Sequence, residues 1–128
     1  MEGDTRDFKG PMVWQRAHRL TVNVYRATEA FPSRERFGLT DQIRRASISI
    51  PANIAEGCGR RSQRDFARFL QISVGSANEL EYHLLLAREL GYLETDSHSV
   101  FNTDPGEVRQ MLSSLIRKVS KDSVASHE

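Results

Sequence analysis

The chain has 128 residues, with 18 Lys and Arg against 17 Asp and Glu and a formal net charge of +1 at pH 7. That length fits one domain, large enough to bury roughly two thirds of the surface its unfolded form exposes without a disulfide or metal staple. The single Cys58 cannot close an internal disulfide, no apolar N-terminal run suggests export, and no segment is long and apolar enough to span a bilayer, which excludes a disulfide-built secreted scaffold and a membrane-spanning protein and makes a reducing cytoplasm the expected setting.

In chain order, Val13, Ala17, Leu20, Val24 and Thr28 recur at spacings of four and three, widened by Trp14, Thr21 and Tyr25, and predict helix one over about Met12 to Ala30. Pro32 and Gly38 punctuate the turn. Leu39, Ile43, Ala46, Ile50 and Ile54 then carry helix two, which should stop at Gly57 or Gly59 because glycine readily takes the left-handed conformation. Ser62 is the predicted cap of helix three, its hydroxyl accepting from the backbone of Asp65, ahead of Phe66, Phe69, Ser73, Ser76, Leu80, Leu84, Ala87 and Leu90 on one face. Gly91 closes that helix. A polar loop leads to Asp104 as cap, Pro105 and Glu107 in the first turn, and Val108, Met111, Leu112, Leu115 and Val119 define helix four. No segment alternates with period two over a useful length. The expected fold is all-α: an up-down-up-down antiparallel four-helix bundle with a kinked second helix, a single domain over residues 1–121, and a disordered tail over 122–128.

Helix two is the unusual element. From Ala46 to Ala55 it carries no charge, so it is apolar or small on every side and one layer of neighbours does not cover it. Burial within the domain and against another copy is the expectation, which makes the fold a ring-forming homo-oligomer. Ile48, roughly 100 degrees per residue away from the Ile43, Ala46 and Ile50 stripe, should face another subunit. Pro51 removes the bond to the Ser47 carbonyl and bends the axis, a cost of about 3 kcal/mol in a helix interior. Ser47 and Ser49 are the hydroxyls expected to satisfy the freed groups. The bend is read either as a tolerated kink or as a shape made for an interface.

The ordered series Trp14-Gln15, Phe31-Pro32, Phe37-Gly38-Leu39, Gln42-Ile43-Arg44-Arg45-Ala46, Ile50-Pro51-Ala52-Asn53-Ile54-Ala55-Glu56-Gly57, Gly59-Arg60, Phe69-Leu70 and Gly75-Ser76-Ala77-Asn78-Glu79-Leu80-Glu81 resembles the four-helix-bundle proteins encoded in intervening sequences of bacterial 23S ribosomal RNA genes. The resemblance covers about residues 8–119. It implies a small homopentameric bundle without an established enzymatic activity. Those proteins are in turn distantly similar to the accessory variability determinant of diversity-generating retroelements, a basic pentamer that binds nucleic acid and a reverse transcriptase.

Charge is segregated along the expected bundle. One end gathers Arg16, Arg19, Arg60, Arg61, Arg64, Arg68, Arg117, Lys118 and Lys121, nine cations, against the three acids Glu56, Asp65 and Asp122. The other end holds Glu29, Glu79, Glu81, Glu89, Glu94, Asp96, Asp104 and Glu107, with Arg26, Arg44, Arg45 and Arg88 as their expected partners. Fifteen of the 18 basic residues are Arg, which favours planar, bidentate contacts to phosphate or carboxylate. A solvated charged face is the competing reading. Arg16, Arg19, Arg60, Arg61, Arg64, Arg68, Arg117 and Lys118 are the candidate nucleic-acid-binding residues, and Arg44, Arg45, Ile48, Ala52, Asn53 and Glu79 the candidate oligomer interface. Arg44 and Arg45 are expected to pair near Asn78, Glu79 and Glu81, and Asn53 to bond across a close contact with Gly75, Ser76 and Ala77, as a satisfied packing group or as a register-fixing one.

Enzyme chemistry finds no foothold in the motifs. His18, His83, His98 and His127 are scattered, no Glu-x-x-His pair builds a carboxylate-bridged metal site, and no serine lies in a nucleophile motif. Gly57-Cys58-Gly59 lacks the strand and the Gly-Lys-Ser ending of a phosphate loop and reads as a helix stop. Cys58 is either inert or a somewhat acidic exposed thiol. Helices two and three are too long and too apolar for a helix-turn-helix module. The expected function is therefore a non-enzymatic oligomer, without cofactors or metal, that binds RNA or DNA phosphates through its arginine-rich end. The alternative is a scaffold that docks a protein partner with no direct nucleic-acid role, and no membrane partner is expected.

Overall fold

The stripe Val13, Ala17, Leu20, Val24 and Thr28 is buried along its whole length, and it forms one face of α1 (Met12–Thr28). The computed structural model describes residues 7–94 and 105–126, with side chains as far as 121. A 3-10 turn (Ser33–Glu35), α2 (Leu39–Cys58), α3 (Gln63–Glu89) and α4 (Pro105–Ser126) follow, and there is no strand among the described residues. α2 packs on both α1 and α3, and α3 packs on α4. The core they share includes Leu20, Ile43, Ile50, Ile54, Leu70, Leu80, Val108 and Leu112.

The start of α2 is held by a side chain from the turn before it. Glu35 Oε1 accepts from the Leu39 backbone N–H at 3.1 Å, which satisfies a donor that the first helical turn leaves without a partner. Glu35 Oε2 accepts from the Tyr92 hydroxyl at 2.9 Å, tying the α1–α2 connection to the chain after α3. The Leu39 N–H and then the Tyr92 hydroxyl hold the Glu35 carboxyl below its ordinary range, against an opposing effect of desolvation and with a lesser contribution from the Arg34 charge.

Thr21 of α1 donates its hydroxyl to the Ser47 carbonyl at 2.8 Å, the carbonyl deprived of its helical donor by Pro51. The rescue therefore comes from a neighbouring helix and not from Ser47 or Ser49. The Ser47 hydroxyl donates to the Arg44 carbonyl at 2.9 Å, and the Ser49 hydroxyl shares a 2.7 Å bond with Ser76 on α3. From α3, Ser73 donates to the Ile50 carbonyl at 2.9 Å. Asn53 does not bond across the helix contact. Its amide donates to the Ser49 carbonyl and hydroxyl one turn back on its own helix, at 2.8 and 2.9 Å.

These bonds fix the direction of the helices. Thr21 meets Ser47 while Thr28 meets Arg44, and Ser49 meets Ser76 while Ile50 meets Ser73, so numbers rise along one helix as they fall along the other in both pairs. α1 and α3 cover two sides of α2. Its third side faces outward, with Arg45 and Ala52 exposed and Ile48 at 44% exposure.

Helix three has the predicted cap. The Ser62 hydroxyl accepts from Asp65 N–H at 3.0 Å. Its far end closes on Gly91 at a φ of 81°, with Gly91 N–H bonded to the Arg88 carbonyl and Tyr92 N–H to the Ala87 carbonyl, the paired bonds of a Schellman turn. Helix two ends differently from expectation. Gly59 keeps a right-handed φ of −84°, and the last turn tightens through Gly59 N–H to Glu56 and Arg60 N–H to Gly57. Two stripes shift in detail. Leu90 is 51% exposed, Leu70 and Ala77 are buried where Phe69 and Leu90 were expected, and in α4 Ile116 is buried while Met111 and Leu115 are half-buried. Helix one stops at Thr28, short of Ala30, and α4 continues past Lys121 to Ser126. The expected cap Asp104, the preceding polar loop and the last tail residues lie outside the described residues.

Changing Thr21 to Val, which keeps the shape and removes the hydroxyl, leaves the Ser47 carbonyl buried without a donor. The expected loss is about 1–3 kcal/mol of folding free energy, measured as a shift in the urea unfolding midpoint, and an unshifted midpoint would refute the cap.

Candidate nucleic-acid interface

The turn from α2 into α3 is built on a close approach. A Cβ added to Gly57 would stand 3.0 Å from Phe66 Cδ1 and 3.0 Å from Phe69 Cβ, both on α3, so only glycine lets the two helices come this near. Phe66 is buried and Phe69 half-buried as a result. The side chains that leave this corner are Arg60, Arg61, Arg64 and Arg68, with Glu56 and Asp65 among them.

Phe69 carries two cations. The Arg60 Cζ lies 4.7 Å from its ring centroid and the Arg68 Cζ 4.6 Å, both within cation–π range. Each guanidinium also meets an acid close by in the chain: Arg60 Nη2, just past the end of α2, to Glu56 Oε2 at 2.7 Å, and Arg68 Nε to Asp65 Oδ1 on the same helix at 3.7 Å. Exposed pairs of this kind contribute little to stability, but with the ring they restrict where the guanidinium planes sit. Arg61 and Arg64 are exposed.

A second cluster occupies the start of α1. His18 stacks on Trp14 with centroids 5.0 Å apart and planes 5° from parallel, and Phe8 meets Trp14 edge-on at 5.2 Å and 74°. His18 and Arg19 are exposed. Since α1 and α2 run in opposite directions, this cluster lies toward the end of α2 that bears Arg60.

Not every predicted cation joins this end in the expected state. Arg16 pairs with Glu107, an acid expected at the other end of the bundle. Arg117 is exposed and donates to Ser114 on its own helix, and Lys118 is exposed; neither forms a hydrogen bond or ion pair with the α2–α3 corner. Arg44 and Arg45 do not reach Asn78, Glu79 or Glu81. Arg44 turns toward α1, where Nε donates to Thr28 Oγ1 at 2.8 Å, Nη2 donates to the Tyr25 carbonyl at 3.2 Å, and the guanidinium lies 4.6 Å over the Tyr25 ring. It points that way because it lies on the flank of α2 that borders α1. Arg45 pairs with Asp41 one turn back at 3.1 Å. Asn78 and Glu81 receive Arg109 of α4, at 3.1 and 2.6 Å, and Glu79 stands exposed 4.0 Å from His83. Asp96, His98 and Asp104 lie outside the described residues. Cys58 is buried, which sets aside its reading as an exposed thiol.

A profile of 23S rRNA-intervening sequence proteins matches residues 10–114. The chain belongs to the 23S rRNA-intervening sequence protein family. A crystal structure of a protein with unknown function from the S23 ribosomal protein family of Bacteroides thetaiotaomicron is similar to it, with a TM-score of 0.73 and 29% sequence identity over 82% of this chain and 95% of that one. No curated protein matches the chain. The matched span of this intervening-sequence protein takes in α1, α2, α3 and the first part of α4, and with them both the α2–α3 corner and the Trp14 cluster.

Sequence reading missed Phe69 as the support of two arginines and placed it in the core stripe. The available signal was Gly57, whose lack of a side chain lets α3 close on α2 and leaves the Phe69 ring at the rim. Gly57→Ala is expected to cost about 1–3 kcal/mol of stability through overpacking against Phe66 and Phe69, read as a lower thermal midpoint. An unchanged midpoint would mean that the helices can part without loss.

Proposed function

We propose that this intervening-sequence protein is a non-enzymatic, cytoplasmic homo-oligomer, a ring of up-down-up-down bundles and a pentamer as the family resemblance implies, that binds RNA or DNA phosphates through its arginine-rich end. The observation that carries the reading is the α2–α3 corner, where Arg60, Arg61, Arg64 and Arg68 leave one turn against only Glu56 and Asp65. Guanidinium groups already oriented on Phe69 lose less freedom on meeting a phosphate than free ones do. Arg19, and Arg117 and Lys118 on α4, extend the positive field, and Arg16 joins it only when its pairing with Glu107 opens.

The oligomeric part of the proposal rests on the outward side of α2. Ile48 and Ala52 there, with Arg45 and Asn53 on the same helix and the exposed Glu79 on α3, form the proposed contact with a second copy, while Arg44 serves within the subunit. A second reading is favoured by the pairing of Arg60 with Glu56 and Arg68 with Asp65: a corner already satisfied by carboxylates suits an acidic polypeptide, and the protein is then a scaffold for a protein partner.

Gel-shift titration with structured RNA and with duplex DNA separates the two. Micromolar binding is expected, weakening about a thousandfold or more between low and physiological salt if six or more phosphates are contacted. Replacing Arg61, Arg64 and Arg68 together by Glu is expected to weaken it at least about tenfold by removing several of those contacts. Absence of binding at low salt, with a protein partner that survives nuclease treatment, would favour the scaffold. For the assembly, Ile48→Asp is expected to yield smaller particles by light scattering, and an unchanged mass would remove Ile48 from the contact.

A further inference from the structure

We infer that the arginine-rich end takes single-stranded nucleic acid in preference to duplex, with unpaired bases stacking on two platforms: the outer face of His18 in the Trp14–His18 pair, and the guanidinium planes over Phe69. The inference rests on the phosphate-binding reading and names which form of nucleic acid the same surface holds. Phosphate contacts alone need only positive charge and would be served by arginines standing free in solvent. This end has instead stacked one ring on another at Trp14 and His18 and set two cations against the Phe69 ring. His18 is nearly parallel to Trp14, at 5° and 5.0 Å, and exposed, so one more planar ring continues the stack. Phe8 meets Trp14 edge-on, and of the two stacked rings His18 is the exposed one while Trp14 is half-buried.

At the corner, the guanidiniums of Arg60 and Arg68 lie 4.7 and 4.6 Å from the Phe69 centroid, and their side chains keep 40% and 59% exposure. A guanidinium set against a ring can take a base on an open face, and the N–H groups not already held by Glu56 or Asp65 are left for phosphate. Aromatic groups interleaved with cations along one surface are the arrangement that tracks a single strand, because every base has a π-face and stacking tolerates any sequence. A duplex has its base faces occupied and can use only the charge. The acids within this surface, Glu56 and Asp65, sit beside Arg60 and Arg68 and hold the guanidiniums in place. They also disfavour the close packing of phosphates that a duplex presents.

Trp14 is the sole tryptophan and reports directly on the first platform. The full-length protein is titrated at low salt with a single-stranded oligothymidylate and with a duplex of the same length, following Trp14 emission and the anisotropy of a dye on the oligonucleotide. The single strand is expected to bind at least about tenfold more tightly than the duplex and to quench Trp14. Phe69→Leu is expected to weaken single-strand binding roughly five- to a hundredfold, the range for loss of one stacked base, with a smaller effect on the duplex. His18→Ala changes an exposed position, keeps the test decisive if Phe69→Leu does not fold, and is expected to weaken the single strand in the same direction and reduce the quench. Equal affinities for the two forms with unchanged Trp14 emission would overturn the preference and leave phosphate binding standing. So would single-strand binding that neither variant alters. Failure to bind either form would end both readings.

Discussion

Everything at the arginine-rich end depends on how closely α2 can lie against its neighbours while carrying a proline in its middle. Pro51 deprives the Ser47 carbonyl of its helical donor, and the Thr21 hydroxyl supplies one from α1 at 2.8 Å. On the other side, Ser73 and Ser76 bring hydroxyls from α3 to Ile50 and Ser49, and Gly57 removes the last obstacle to contact. The helix is thus held by polar bonds on two flanks and by aliphatic packing between them. Small side chains make the approach possible, and the hydroxyls they carry keep the buried backbone from being left without partners. A bend that would ordinarily weaken a helix becomes tolerable because each consequence is answered by a neighbour.

That closeness has an effect at the corner that composition alone does not convey. With α3 drawn onto Gly57, Phe66 is pushed inward and Phe69 remains at the rim, where arginines from both sides of the turn settle over it. The pairings with Glu56 and Asp65 lower the net charge of the corner but raise its order. A ligand that meets arginines already stacked gives up less of its binding energy to immobilising long side chains. The outcome is a corner of moderate charge in which two guanidiniums are held against one ring.

Much of this was readable in the chain. The period of α1, the Ser62 cap and the Gly91 closure follow from local rules, because a stripe, a cap and a left-handed glycine each involve residues a turn or so apart, and all three appear as expected. The partners of the arginines were not readable. Arg44 was expected to meet acids on α3 and meets Thr28 and Tyr25 on α1, since sequence spacing says which flank of α2 a residue occupies only once the neighbours on each side are known. Arg16 with Glu107 is a pairing between the first helix and the last, where no local spacing applies. Gly59 illustrates the converse error. A glycine after a helix suggests a left-handed stop, yet the turn tightens in right-handed geometry and the glycine that matters is Gly57, for the space it leaves.

The uncharged run from Ala46 to Ala55 carries a further physical lesson. Two of its sides are covered within the subunit, and what remains outward is a strip in which Ile48 is nearly half exposed and Ala52 is exposed. Apolar burial on this strip, at about 25 cal/mol per Å², must first offset the lost freedom of association. Its value in the proposed ring lies in closure: a heterologous contact repeated around a ring is made once per subunit, and every member is held from two sides. The same closure would set the arginine corners at a fixed spacing. Each corner, weak alone, would then meet a flexible single strand at an effective concentration set by that spacing, and a stiff duplex could match the spacing only if its own curvature allowed it.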